Sequence, residues 1–352
     1  MKDDNNLDAY IQMAFLVDRA FALETLETAE AKGRDLLMRH LGQNVFSDNG
    51  PYVGKFMDTL ETRPYMRVLQ AQVRVYFENK KYRRSTDTMI EMLRLCPGDN
   101  MNQRSWLGSL LIRVGRYTDA LFFAQVWITS TEGGGAPPPR GGTAFQTPHR
   151  DLLSDAHEKS LSEPYSAPGV LLHTAALASF KLWGSCPQAA QYLRVAAKAN
   201  PHILTKILGR RSQPDSLNMS ARGINSSEEA HDYLWLTQDL WMDPEVWNWV
   251  NADPVINSEI LKICSHPDCT AQETKATQFK RCAACHQVTY CGPVCQKADW
   301  KRHKLDCLRT KQLKKTIKDF ERDKPSSTNI PIFSADTSAE GGPVVYDGSK
   351  FI

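Results

Sequence analysis

Little in this 352-residue sequence points to export or to a membrane. It opens MKDDNN, with acids where a signal peptide carries basic residues, and no apolar core follows directly. Its longest charge-free apolar stretch, Tyr165 to Phe180, contains Pro168, Gly169 and His173 and falls short of the roughly 20 residues that span a bilayer. These absences predict an intracellular chain, in cytoplasm or nucleus, without a membrane partner. Cysteine is scarce outside one segment: seven of the nine lie between Cys264 and Cys307. Without an export signal, such crowding points to metal and not to a disulfide scaffold. Cys96 and Cys186 stand singly in apolar helical context and read as small buried hydrophobes. Catalytic motifs are missing too. His157-Glu158 has no second His to complete a zinc-protease helix, and Gly54-Lys55 lacks a phosphate-loop context.

What is present is ordinary globular material, 41% hydrophobic and 24% charged, with enough length for a sizeable core in two units. Charge is unevenly placed. From Lys262 to Lys324 there are 15 Lys and Arg against 7 Asp and Glu, in a chain whose overall charge is only +3. A basic end of this kind can meet nucleic acid or an acidic partner, so a nucleic-acid-associated regulator is the alternative reading. Lys297, Lys301, Arg302, Lys304, Lys311, Lys314, Lys315 and Lys318 are expected on exposed helix, where a solvated face explains them.

A repeat runs through the first two thirds. Leu69 to Pro97 aligns with Arg104 to Glu132 after a shift of 35, and His173 to Pro201 lies 69 beyond the second copy. The turns read Asn79-Lys80-Lys81-Tyr82, Val114-Gly115-Arg116-Tyr117 and Trp183-Gly184-Ser185-Cys186, followed by a small residue at Ser85, Ala120 and Ala189. Tyr76, Leu111 and Phe180 fill the site before each turn, and Pro97 and Pro201 close two of the copies. Paired helices of about 34 residues with small residues at the crossing resemble the tetratricopeptide repeat. The resemblance implies a mainly α, helical-repeat fold.

Around this repeat the chain divides by composition. Residues 1–64 are a helical cap region, with Ala14, Val17, Ala20, Leu23 and Leu26 at spacings of three. Residues 65–201 hold the repeats, interrupted over 130–167 by an insertion with Gly133-Gly134-Gly135, Pro137-Pro138-Pro139 and Gly141-Gly142, expected to be mobile. Residues 202–261 form a helical extension in which Ser226-Ser227-Glu228-Glu229 opens a helix through Trp241, and Pro244 and Pro254 open two more. Trp235, Trp241, Trp247 and Trp249 belong to its core. A zinc finger at 262–310, a basic helix at 311–324 and a disordered tail at 325–352 complete the expected order.

The ligand-type residues run Cys264-x4-Cys269-x12-Cys282-x2-Cys285-x5-Cys291-x3-Cys295-x7-His303-x3-Cys307. Four thiolate or imidazole ligands hold one structural zinc, so eight make two closed sites for two Zn(2+), with no open position for catalysis. Cys282 and Cys285 fit a tight turn, while Cys291/Cys295 and His303/Cys307 put each pair one helical turn apart. His266 has no partner at a useful offset, and His286 adjoins Cys285 too closely to aim at the same ion. Spacing alone leaves sequential and interleaved pairing both open.

The segment RCAACHQVTYCGPVCQKADWKRHKLDC resembles the second half of a MYND zinc finger, including Tyr290, Gln296 and Trp300. That resemblance implies interleaved sites, with Cys264, Cys269, Cys291 and Cys295 on one zinc and Cys282, Cys285, His303 and Cys307 on the other. The x4 first pair departs from the more usual x2. The resemblance further implies a protein-interaction adapter or scaffold, not an enzyme. The finger would capture short proline-containing peptides at Gln296 and Trp300, and the repeats would take partner segments. Transcriptional repression and ubiquitin-ligase assembly are settings for such an adapter. MYND fingers also sit inside SET lysine methyltransferases, but the Asn-His dipeptide of that catalytic core occurs nowhere here.

Overall fold

The computed structural model describes residues 6–130, 136–163, 168–218, 223–322, 336–338 and 342–344. Helices α1 (Leu7–Leu16) and α2 (Arg19–Leu41) form the N-terminal hairpin; the Asn6 side chain caps α1 by accepting from the Ala9 N–H. They pack on α3 (Arg63–Glu78) through Leu23, Leu26, Ala71, Val75 and Tyr76. A two-pronged Arg67–Asp8 pair, with bonds of 2.8 and 2.7 Å, pins the same seam.

The three sequence copies are three helical hairpins. α3 turns into α4 (Tyr82–Leu95), α5 (Arg104–Arg113) into α6 (Tyr117–Ser130), and, beyond α7 (Asp155–Ser162), α8 (Gly169–Trp183) turns into α9 (Pro187–Ala199). Each turn needs a left-handed residue at the same position: Lys80 (φ 57), Gly115 (φ 79) and Gly184 (φ 69). Glycine adopts that conformation freely, whereas Lys80 holds it at a steric cost. In the first two copies the bonds are equivalent, from Lys81 N to the Tyr76 carbonyl and from Arg116 N to the Leu111 carbonyl, both 2.8 Å. The small residues Ser85, Ala120 and Ala189 are fully buried where the paired helices cross. In space α8 packs directly on α6, so the insertion does not interrupt the stack.

That insertion is not the mobile loop its composition predicts. Between residues 136 and 163 it is a packed strap laid across α4, α6 and α9. Trp127 Nε1 donates to the Gly141 carbonyl at 3.0 Å, and Gln125 Nε2 to the His149 carbonyl at 2.8 Å. Gln188 Nε2 reaches the His149 and Asp151 carbonyls, while Gln191 exchanges bonds with the backbone of Leu153. Side-chain amides from the helices thus satisfy a backbone that has no ladder of its own, as buried polar groups require. Pro138 is buried and Arg140 pairs with Asp48 at 3.0 Å. Residues 131–135 and 164–167 of the insertion lie outside the described residues.

Gly142, at φ 84, has Trp127 Nε1 only 2.8 Å from the place a Cβ would occupy. Gly142→Val is therefore expected to lift the strap, opening 136–163 to limited proteolysis that spares it in the wild type. Ready cleavage of the wild type inside that segment would show that the strap is not held.

After α10 (Pro201–Leu208) comes α11 (Ser227–Trp241), then α12 (Pro244–Ala252) and α13 (Pro254–Ile260). The expected helix starts are in place: Ser226 Oγ accepts from the Glu229 N–H, and prolines open α12 and α13. α11 lies along the face made by α3, α5 and α8. Trp235 meets Phe77 at 4.8 Å between ring centroids, Arg113 grips the Leu236 carbonyl and Asp239, and Trp241 is fully buried beside His173. Trp249 stacks on Phe180 at 4.5 Å, and Trp247 Nε1 donates to the Ile207 carbonyl. All four tryptophans serve packing.

The finger adds β1 (Lys280–Arg281), antiparallel to β2 (Thr289–Tyr290), and α14 (Pro293–Arg322). α14 runs without a break through the last zinc-type ligands and the basic segment, because no Gly or Pro follows Pro293 before Pro325. The separate basic helix expected from 311 is its continuation. In the tail, β3 (Asp336–Ser338) pairs antiparallel with β4 (Gly342–Val344); residues 325–335, 339–341 and 345–352, expected to be disordered, lie outside the described residues. Among the described residues no helix is long and apolar enough to cross a membrane.

Candidate metal centre

Each zinc-type ligand is placed by a local device. The bridge Ile263↔Gln272 and the bond from Cys264 N to the Ala271 carbonyl fold the x4 loop, with Cys269 N donating to the His266 carbonyl at 3.0 Å. Cys282 and Cys285 sit on the turn after β1. His286 closes that turn at φ 61, its N–H on the Cys282 carbonyl, and Gln287 N points at Cys285 Sγ from 3.4 Å. β2 delivers Cys291, and α14 carries Cys295, His303 and Cys307 on its inward face.

The side chains converge in two groups of four, Cys264, Cys269, Cys291 and Cys295, and Cys282, Cys285, His303 and Cys307. Within each group every ligand atom lies within 4.8 Å of the others. Sγ–Sγ separations of 3.7 Å for Cys269–Cys291, 3.4 Å for Cys291–Cys295 and 3.8 Å for Cys282–Cys307 match a tetrahedron edge. With Zn–S near 2.3 Å that edge is about 3.8 Å. Cys285 Sγ and His303 Nε2 stand 3.3 Å apart. The groups interleave along the chain, and His266 and His286 belong to neither.

The electrostatics are divided: one thiol in each group is lowered, while Cys291, Cys295 and Cys307 are raised, Cys295 by the neighbouring Cys291 thiol and Cys307 by burial beside Cys282. Burial pushes the Cys282 thiol up, but the Cys285 backbone, His303 and the Ala284 backbone outweigh it and bring it down to about 6. Cys264 comes down to about 7, the backbones of Cys291 and His266 overcoming burial in the same way. By geometry and donor set the residues fit two zinc ions, four cysteines for one in the first group and three cysteines and a histidine for the other in the second. Four protein ligands fill each coordination shell, so the metal supplies folding free energy and offers no open position to a substrate.

Little else holds the finger together. Its apolar core is Phe279, Tyr290 and Val288 set among the cysteines. A buried polar knot supports it, in which Tyr290 Oη donates to Asp299 at 2.7 Å and Arg302 clasps both Asp299 oxygens and the Ser265 carbonyl. Burial raises the Asp299 carboxyl, but Arg302 and Tyr290 reverse that and hold it below the usual range. Lys314 Nζ caps the Cys285 carbonyl at 2.7 Å. Arg302 and Lys314 are exposed on α14, as expected of that helix. Both also bond to the zinc region, and only the offset of 3 between Asp299 and Arg302 points to the first.

The finger is seated on the helical unit. Glu273, buried, accepts from Lys262 N at 2.9 Å and Phe279 N at 2.7 Å, while its own N–H bonds the Lys262 carbonyl. Ala276 enters the main hydrophobic core, and Thr277 touches Gly209 at the end of α10. Gln296 is half-buried and Trp300 is 41% exposed, its ring edge-on to His303 at 6.1 Å.

Comparison with known proteins agrees with this geometry. The family profile described as MYND finger matches residues 264–307. An F-box protein of Arabidopsis thaliana is 42% identical over 60 residues, 17% of this chain and 18% of that protein. SET domain and MYND-type zinc finger protein 6 of Schizosaccharomyces pombe is 43% identical over 51 residues, 14% of this chain and 10% of its own length. Zinc finger MYND domain-containing protein 10 homolog of Drosophila melanogaster is 46% identical over 43 residues, 12% and 10% of the two chains. The chain thus spans under a fifth of the length of each of these relatives, and those named for SET domains match in the finger region alone. No solved structure matches the chain. Residues 264–307 are a MYND finger with two zinc-binding groups, carried at the end of a mainly helical chain.

Proposed function

We propose that this chain is a protein-interaction adapter whose finger takes a short proline-containing peptide beside Gln296 and Trp300. The observation that carries this reading is the placement of Trp300. A tryptophan 41% exposed stands one turn from Gln296 on the face of α14, with its inner edge against a zinc ligand. The indole offers an apolar anchor for proline or leucine, and the Gln296 amide offers a fixed polar group for the peptide backbone. Because His303 props the indole, zinc loading and peptide recognition are coupled.

Capture of partner segments by the helical hairpins has less support. α11 fills the face of α3, α5 and α8, and the strap lies across α4, α6 and α9, so both of these faces of the hairpins are already occupied. They serve as a rigid carrier for the finger. Closed zinc sites give no reason to assign catalysis, methyl transfer included.

Amide hydrogen exchange on the zinc-loaded chain, with and without a saturating peptide of proline and leucine, tests the assignment. Protection is expected to concentrate at 291–303. Protection confined to the hairpins would relocate the site.

A further inference from the structure

A concave cleft of about 780 Å³ lies at the junction between the helical unit and the finger, away from Gln296 and Trp300. One wall is α10 with the loop after it, contributing His202, Lys206 and Arg211. The other is the finger's proximal edge, contributing Lys262, Lys280 and Arg281. None of these five lysines and arginines has an ion-pair partner among the described residues.

Four acids face them, one fewer than the lysines and arginines. Glu273 lines the cleft, but both its oxygens accept from backbone N–H groups. Asp215 is at the rim, and Glu228 and Asp232 act on Lys206 from α11. The loop wall is fixed in place: Gln238 donates to the Arg211 carbonyl, Gln213 to the Trp235 carbonyl at 3.0 Å, and His231 Nε2 lies 2.9 Å from the Ser216 carbonyl.

We propose that this cleft binds an acidic segment of a partner protein, its carboxylates paired with Lys206, Arg211, Lys262, Lys280 and Arg281. The site is preformed and electropositive. Burial first, and then Arg281, Lys206 and Lys262 against the opposing Glu228, push the His202 imidazole below its ordinary range. Its volume falls within the roughly 300–1,000 Å³ of sites that enclose a small ligand or a few residues. A nucleic-acid strand fits less well, because the one Phe, Tyr or Trp in the lining, Phe279, is buried and offers no base a stacking surface. Ser212, Gln213, Thr277 and Thr289 supply the neutral hydrogen-bonding groups that a peptide backbone uses. The cleft shares no residue with the proline-peptide reading and stands or falls apart from it.

The test uses the full zinc-loaded chain and a labelled hexaglutamate peptide, with hexaglutamine, inorganic phosphate and a short single-stranded DNA as competitors. Arg211→Glu combined with Lys280→Glu reverses two exposed charges and leaves Glu273 and the zinc ligands intact. Lys311→Glu combined with Lys315→Glu reverses two charges on α14, outside the cleft. Hexaglutamate should bind, lose affinity about 10-fold or more in the cleft variant, and weaken with salt as charge pairing requires. Affinity should survive in the α14 variant and resist hexaglutamine and phosphate. The proposal is overturned by equal loss in both variants, which marks non-specific attraction to a basic chain. It is likewise overturned by DNA outcompeting the peptide in a cleft-dependent way, or by phosphate displacing it.

Discussion

Cys282→Ser is expected to leave one zinc per chain instead of two and to loosen the part of the finger around the second group, while the helical unit keeps its own melting transition. Cys282 is buried, its thiol is brought down to about 6, and it lies 3.8 Å from Cys307 Sγ across the second group. A hydroxyl in its place leaves an ion three-liganded. Zinc supplies on the order of 10 kcal/mol per structural site, and a core of Phe279, Tyr290 and Val288 cannot replace that. Cys264→Ser should empty the other group. Cobalt substitution reports which one, since losing a thiolate changes the charge-transfer band of its own site. If Cys264→Ser and Cys282→Ser empty the same site, the interleaved pairing is wrong.

Trp300→Ala should keep both zincs and lose peptide affinity by roughly 2 kcal/mol, about 30-fold, as truncated aromatic anchors do. The indole is 41% exposed, lies edge-on to His303 at 6.1 Å and belongs to neither apolar cluster of the finger, so its removal costs the finger little. Gln296→Ala should cost less, because a neutral hydrogen bond at a half-exposed site exchanges with water. A Trp300→Ala chain that retains metal and binds such peptides as tightly as the wild type would contradict the groove.

The repeat register and the eight metal-type residues were legible because both rest on short-range rules. A hairpin turn needs its left-handed residue at one position, met by Gly115 and Gly184, and two ligands on one helix face need an offset of 4, met by Cys291 and Cys295. What escaped depends on distant partners. The strap has the composition of a mobile loop, and its order comes from Gln125, Gln188 and Gln191 on helices elsewhere in the chain, glutamines that nothing local distinguishes from solvated ones. The docking of α11 is of the same kind: its pattern shows an amphipathic helix, but not that Arg113 and Phe77 await it. Interleaved pairing of the cysteines came from family resemblance, since spacing admitted a sequential arrangement equally.

The central claim is that zinc builds the surface that recognises the partner. Titration of one labelled proline- and leucine-containing peptide against the full chain, before and after zinc removal with a chelator, tests it most directly. Binding should be saturable with zinc present, vanish with the metal, and return when zinc is restored. Undiminished binding to the zinc-free chain would place recognition on the helical unit and contradict the account.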